Sequence, residues 1–133
     1  QHLWGDAPDE SAAQDIFAIH LDQGTDLFAI AGPTAESTVL VVADSNASRT
    51  LQGGFLVRSD SSVADGSLSF RRRWHLQVRS PALDLHVEAS GPGRRVSLLG
   101  IPYLIVRCTV RGSRAAGVPV SGTAYMYVRG RTR

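Results

Sequence analysis

The alternation of apolar and polar residues with a period of two is the feature that most constrains the fold of this chain. It is clearest in residues 70–78 (FRRRWHLQV), where Phe70 and Trp74 share a face with Arg72. The same period recurs between residues 15 and 129, and no window carries the 3.6-residue period of an amphipathic helix. This pattern is typical of half-buried antiparallel strands.

Turn-forming residues divide the alternating stretches into strands, with residues 59–67 and 90–102 predicted as connections. The pair Gly53-Gly54 suggests a bulge or a sharp bend inside one strand. Because every connection is short, we expect an all-β, antiparallel up-and-down barrel of about eight strands, with a two-sheet sandwich as the alternative. The predicted strands are residues 15–21, 27–31, 37–43, 49–58, 70–78, 83–89, 103–111 and 120–129.

Length and composition place the chain among globular proteins with one domain. The 133 residues are 43% hydrophobic and 20% charged, values that are ordinary for a single folded domain. No apolar run approaches the roughly 18 residues of a membrane helix, so we expect no membrane span. The chain begins at Gln1 and its only methionine is Met126. We expect a cytoplasmic protein, with secretion left open.

Charge is distributed unevenly along the chain. Residues 1–66 carry ten acidic residues and two arginines, whereas residues 67–133 carry two acidic residues and twelve arginines. A basic half of this kind suits an anionic partner, but two halves of one barrel can also complement each other, and we favour this second interpretation. Nucleic acid is not expected, because the aromatic residues fall on the strand faces opposite the basic ones.

Motifs for metals, cofactors and nucleophiles are missing from the sequence. It contains no phosphate-binding loop, no GxGxxG, no nucleophile elbow and no paired cysteines. Cys108 is the single cysteine and is predicted to be a small buried hydrophobe. The four histidines, His2, His20, His75 and His86, do not show metal-ligand spacing. We therefore predict no metal site and no cofactor, and we expect His75 and His86 to be solvated.

Several stretches taken together resemble the lipocalin-like family of bacterial carotenoid hydratases, to which fungal lipocalin-like Diels–Alderases are distantly related. Trp4, with Arg129 and Arg131 after the last strand, also resembles the base of a lipocalin barrel, where a tryptophan packs under a cation. The resemblance spans nearly the whole chain and covers the C-terminal one of two family domains. The stretches that carry it are QHLWG (1–5), DIFAIHLDQGTDLF (15–28), FRRRWHLQVRSPALDLHVEA (70–89) and GVPVSGTAYMYVRG (117–130).

The resemblance implies a single lipocalin-like barrel domain over residues 1–133, as the C-terminal part of a longer protein. It implies a partner domain or a homo-oligomer as well. The chain departs from the family pattern at three positions: Gln1 replaces an aspartate, Tyr127 replaces a glutamate, and Arg72 stands where the family is apolar. Hydration of an alkene needs a well-placed strong acid, so the loss of two carboxylates argues against that reaction here.

Three functions remain compatible with the sequence. The first is a cofactor-free cyclase of the Diels–Alderase kind, or a related isomerase or lyase, that holds a lipophilic polyene or polyketide in the barrel. The second is a non-catalytic binder of a hydrophobic ligand, and the third is a structural half-domain with a packed interior. For the first, we predict Arg72, Tyr127 and His20 as catalytic residues and Trp74, Phe70, Tyr125 and Trp4 as substrate-binding residues.

Arg72 is the anomalous position in this pattern, because a guanidinium needs partners inside an apolar core. If the barrel holds a ligand, Arg72 is the expected anchor for its anionic or carbonyl group. The alternative is that Arg72 lies near a barrel mouth and extends to water or to an acidic residue.

Overall fold

In the computed structural model, the chain forms one antiparallel sheet that curls into a half-barrel. The structure describes residues 15–31, 39–43, 48–51, 55–79 and 82–132. These residues form eleven strands: β1 (Asp15–Leu21), β2 (Asp26–Ala31), β3 (Val39–Ala43), β4 (Ser48–Leu51), β5 (Phe55–Asp65), β6 (Leu68–Val78), β7 (Leu83–Ala89), β8 (Arg94–Leu98), β9 (Ile101–Arg114), β10 (Val118–Arg129) and β11 (Arg131–Thr132).

The strand order follows the up-and-down arrangement that the sequence predicts. Along the sheet the order is β11-β6-β7-β9-β10-β1-β2-β3-β4, with β5 paired to β6 and β8 paired to β9 beside this path. β1 lies between β2 and β10, so the first and last long strands of the described chain are neighbours. The predicted all-β fold class is confirmed, and no helix in the described part is long and apolar enough to cross a membrane.

The core follows directly from the period of two. Alternate residues of the strands point to the concave side, and twenty apolar side chains of the described residues are buried there. Burial of each large aliphatic or aromatic side chain contributes roughly 1.5–3 kcal/mol, so this layer drives folding. The buried set is Phe17, Ile19, Leu21, Leu27, Ala29, Val42, Phe70, Trp74, Leu76, Val78, Leu83, Leu85, Val87, Leu104, Val106, Cys108, Val110, Ala124, Met126 and Val128.

Two predicted connections are strands in the structure. Residues 59–67 were predicted as a loop, but β5 continues to Asp65 and turns into β6 at Gly66, whose φ is 65°. Residues 90–102 contain β8, none of whose residues is buried. A strand that buries no apolar face carries no period-two signal, which explains both errors. The Gly53-Gly54 bend and Trp4 lie outside the described residues.

Two glycines mark places where neighbouring strands approach closely. Gly122 in β10 lies opposite Leu21, and a Cβ at this position would overlap the backbone carbonyl oxygen of His20. Gly112 in β9 lies opposite Leu85, and a Cβ there would overlap the carbonyl oxygen of Asp84. Only glycine allows this backbone spacing, which curves the sheet toward a barrel.

We expect Gly122→Ala to destabilise the fold by about 1–3 kcal/mol, because the added methyl forces β1 and β10 apart. Urea unfolding followed by circular dichroism measures the change. Gly91→Ala is the matched control, since a Cβ at Gly91 meets no atom within 4 Å. Equal unfolding midpoints for the two variants would contradict the close approach.

Candidate functional site

A buried carboxylate closes one end of the half-barrel. Asp15 begins β1, and its side chain is only 2% exposed. The indole Nε1 of Trp74 donates a hydrogen bond to Oδ2 at 3.1 Å, and the backbone N–H of Arg129 donates to Oδ1 at 3.0 Å. Arg131 Nη1 donates to Oδ1 at 3.2 Å, and Arg71 Nη1 lies 3.8 Å from Oδ2.

This network joins strands that are distant in the sheet. Asp15 belongs to β1, whereas Trp74 and Arg71 belong to β6, four strands away in the sheet order. The carboxylate accepts in each of the three hydrogen bonds, so the charge of a buried group is balanced by donors from three strands. Its geometry is that of a structural clamp, and both of its oxygens are occupied.

Trp74 and Phe70 were predicted to bind substrate, and the structure places both in the packed core. Trp74 contacts the edge of Phe17, with ring centroids 5.8 Å apart, and its N–H is committed to Asp15. Phe70 is 3% exposed, and the guanidinium carbon of Arg95 lies 5.6 Å from its ring centroid. Trp74 therefore shares the Asp15 carboxylate with Arg131, and the role predicted for Trp4 lies outside the described residues.

Arg72 lies at an irregularity of the β5–β6 ladder. In the pairing of β5 with β6, Ser61 stands opposite Arg73, and the next residue, Ser62, stands opposite Arg71. Arg72 therefore has no residue opposite it on β5. Such a bulge re-aims side chains and increases the local twist of the sheet. Arg72 is half-buried, and its positive charge acts to lower the pKa of the buried Cys108. Arg72 therefore acts electrostatically on a thiol of the concave, apolar side.

Cys108 is fully buried, and its Sγ makes a weak 3.9 Å contact with the carbonyl oxygen of Val106. Burial raises the pKa of the thiol to about 12, and the opposing effect of Arg72 is smaller. A thiol in this environment is not a nucleophile, because only the thiolate reacts. The structure supports the interpretation of Cys108 as a small core residue.

Three further predicted residues of the described part lie on the convex face of the sheet. His20 and Tyr125 are exposed there, and Tyr127 is half-buried between Ile16 and Ile105 in the strand register. They are therefore on the opposite side of the sheet from Phe70 and Trp74. The structure does not bring the predicted residues together into one site.

His20 lies at an open groove of about 300 Å³ on this convex face. Its Nδ1 is 2.6 Å from Oδ1 of Asp26, which stands directly opposite it on β2. Both side chains are more than 60% exposed, and Phe28 beside them is 46% exposed. The groove is lined by Ala18, Ile19, His20, Asp26, Leu27, Phe28, Val41 and Ala43.

A second histidine–aspartate contact lies on the convex face of β6 and β7. His75 Nε2 is 2.6 Å from Oδ1 of Asp84, and His86 Nε2 is 3.6 Å from the same atom. The two imidazole rings are stacked, with centroids 4.3 Å apart and planes 9° apart. The hydrogen bond with His75 is the main cause that lowers the pKa of Asp84.

Sequence reasoning missed this cluster. His75 and His86 are eleven residues apart, and only the register, which places them opposite each other, brings them together. The cluster could have been found from the period of two. Both histidines occupy outward positions of consecutive strands, and Asp84 lies two residues before His86 on the same face. Both lie on the predicted outward face, where His86 is exposed as predicted and His75 is half-buried.

Comparison of the chain with family models, with curated proteins and with solved structures found no match. The resemblance to the lipocalin-like carotenoid hydratases therefore stays a prediction from the sequence. What the structure contributes to function is the geometry of three places: the Asp15 clamp, the His20 groove and the His75–Asp84–His86 cluster.

We expect Asp15→Asn to destabilise the protein by about 3 kcal/mol, because it removes the buried negative charge that the half-buried Arg71 and Arg131 face. Chemical unfolding in urea checks this. Asp22→Asn is the matched control: its Oδ2 accepts a hydrogen bond from Ser121 Oγ at 2.9 Å on the exposed surface, and it should cost about 1 kcal/mol or less. A larger loss for Asp22→Asn than for Asp15→Asn would refute the clamp.

We expect Cys108 to resist thiol reagents in the folded protein. With a pKa of about 12, roughly one thiol in ten thousand is ionised at pH 8, against about a quarter in an unfolded chain. Labelling with Ellman's reagent at pH 8, with and without denaturant, measures this difference. Rapid labelling of the native protein would show that Cys108 is accessible and activated.

Proposed function

We propose that this chain is a lipocalin-like domain that binds a lipophilic small molecule in the convex-face groove, with the His20–Asp26 pair holding a polar group of the ligand. The observation that carries the proposal is the combination of an apolar groove with one oriented histidine. Small-molecule sites are typically concave and mostly apolar, with few polar groups that fix orientation.

The apolar part of the groove comes from three neighbouring strands. Ala18 of β1, Phe28 of β2 and Val41 of β3 lie in one row of the register. Phe28 offers a half-exposed ring face, which suits a conjugated or aliphatic chain laid across the strands. A volume of about 300 Å³ accommodates a small ligand or one segment of a longer one.

The polar end of the groove has defined chemistry. Because Asp26 accepts from Nδ1 of His20, the neutral imidazole carries its proton on that nitrogen and offers Nε2 as an acceptor. Such a pair can bind a hydroxyl group or remove a proton from an acidic carbon, as histidine does in general base catalysis. If the domain is catalytic at the groove, this chemistry fits an isomerase or a lyase and needs no cofactor.

The barrel interior is the second candidate location, and it is the place where a Diels–Alderase-like cyclase would hold a polyene. Arg72 favours it, since a half-buried cation that acts on the concave face suits a carbonyl or carboxylate group. Against it, the described interior is filled by the twenty buried side chains. A ligand there would have to displace packed residues, so the groove is the better-supported site.

A partner domain fits the same face. Phe28 and Tyr125 are 46% and 56% exposed on the convex side, and the family resemblance implies a second lipocalin-like domain. A domain packed over these residues would convert the open groove into an enclosed pocket and strengthen its contacts with the ligand.

The test is binding of cis-parinaric acid, a fluorescent conjugated polyene with a carboxylate. We expect saturable binding that Phe28→Ser weakens about tenfold, equivalent to about 1.4 kcal/mol, and that His20→Gln weakens several-fold. His75→Gln is the matched control, because His75 makes the same 2.6 Å contact with an aspartate away from the groove.

Arg72→Leu distinguishes the two locations in the same titration. Binding in the groove leaves the affinity of this variant unchanged. A loss of affinity in Arg72→Leu, with wild-type affinity in Phe28→Ser, would place the ligand in the interior instead. If no saturable binding is observed, the ligand-binding proposal is wrong, and the structural half-domain is the function that remains.

A further inference from the structure

We propose that His75, Asp84 and His86 form a binding site for a divalent late first-row transition-metal ion, with Zn²⁺ as the representative. The site lies on the convex face of β6 and β7, and the proposal does not depend on the function of the groove. It rests on the convergence of two imidazoles and one carboxylate on a rigid pair of strands.

The strand register fixes the three ligands. His75 stands directly opposite His86, and Asp84 precedes His86 by two residues on the same face. One donor atom from each residue lies within 4.8 Å of the other two. Ligand atoms around an ion with bonds of about 2.0–2.2 Å are roughly 3–3.5 Å apart. To coordinate one ion, His75 Nε2 and Asp84 Oδ1 must move apart from 2.6 Å to this spacing, and the stacked imidazole rings must turn from their parallel orientation until both nitrogens face the ion.

The ligand types select the class of metal. Imidazole nitrogens suit Zn²⁺, Ni²⁺ and Cu²⁺, whereas Mg²⁺ and Ca²⁺ prefer oxygen ligands and a larger set of them. Three protein ligands also leave a coordination position open to water or to an anion, as in metal sites that are not purely structural. Gln77 stands opposite Asp84 and approaches its second oxygen at 3.5 Å, which helps to orient the carboxylate.

Neighbouring charges set the strength expected of this site. Arg58 stands opposite His75 on β5, and Arg111 stands opposite His86 on β9, both exposed on the same face. Two cations beside a single carboxylate oppose a divalent ion, so we expect micromolar rather than nanomolar affinity. The same arginines favour an anion in the open coordination position.

The His20–Asp26 pair provides an internal comparison. It has the same 2.6 Å contact between an imidazole nitrogen and a carboxylate oxygen, and its side chains are more exposed than those of His75 and Asp84. Within the described residues, no second histidine joins it in a cluster of metal ligands. It should therefore not hold a metal ion at comparable strength, because one imidazole and one carboxylate supply only two ligands.

The experiment is a calorimetric titration of the full, chelator-treated chain with ZnCl₂ and, separately, with MgCl₂. We expect one Zn²⁺ per chain and no Mg²⁺ binding. His75→Gln and His86→Gln should each weaken Zn²⁺ binding at least tenfold, while His20→Gln and His2→Gln leave it unchanged. Asp84→Asn should also weaken it, since a neutral amide oxygen is a poorer ligand than a carboxylate.

Two further measurements keep the result independent of any effect of the substitutions on folding. Zn²⁺ should raise the thermal unfolding midpoint of the unaltered chain by preferential binding to the folded state. It should also shift the ring resonances of His75 and His86, but not those of His20, in NMR spectra of that chain. The proposal is overturned if Zn²⁺ does not bind at millimolar concentration, or if binding survives in both His75→Gln and His86→Gln.

Discussion

The Asp15 carboxylate is the contact on which the closure of this half-barrel depends. It is buried among donors from β6, β10 and the start of β11, and it accepts a hydrogen bond from each of them. An acidic residue of the first half of the chain thereby meets Arg71 and Arg131 of the basic second half. The charge asymmetry of the sequence is thus used, at least at this point, inside the molecule rather than for an external partner.

The two faces of the sheet differ in composition and in access to solvent. The concave face is filled with apolar side chains, and Arg72, at a ladder irregularity, acts electrostatically on Cys108 there. The convex face carries the histidine–aspartate contacts, where water and ligands have access. Functional residues on the outside of a barrel do not compete with core packing, so substitutions there usually change stability by only about 0.5 kcal/mol.

The sequence predicted the strands that bury one face and failed where that signal was missing. β1, β6 and β7 match their predicted bounds closely, whereas β8 and the second half of β5 bury little and were assigned to connections. The candidate sites were harder to predict, because the pairing register of the strands decides which side chains meet. His20 was identified without Asp26, and His75 and His86 were treated separately. Asp15 shares its strand parity with Phe17, but nothing local shows that Trp74 would meet it.

The position of β1 between β2 and β10 has a consequence for how the chain folds. Ile16 pairs with Tyr127, so one edge of the β1–β2 hairpin stays open until nearly all of the described chain has left the ribosome. Contacts of such long sequence separation form slowly, because loop closure must precede them. During synthesis the exposed edge of β1 is a template for other chains. The nascent protein is therefore most vulnerable to aggregation just before its last long strand emerges.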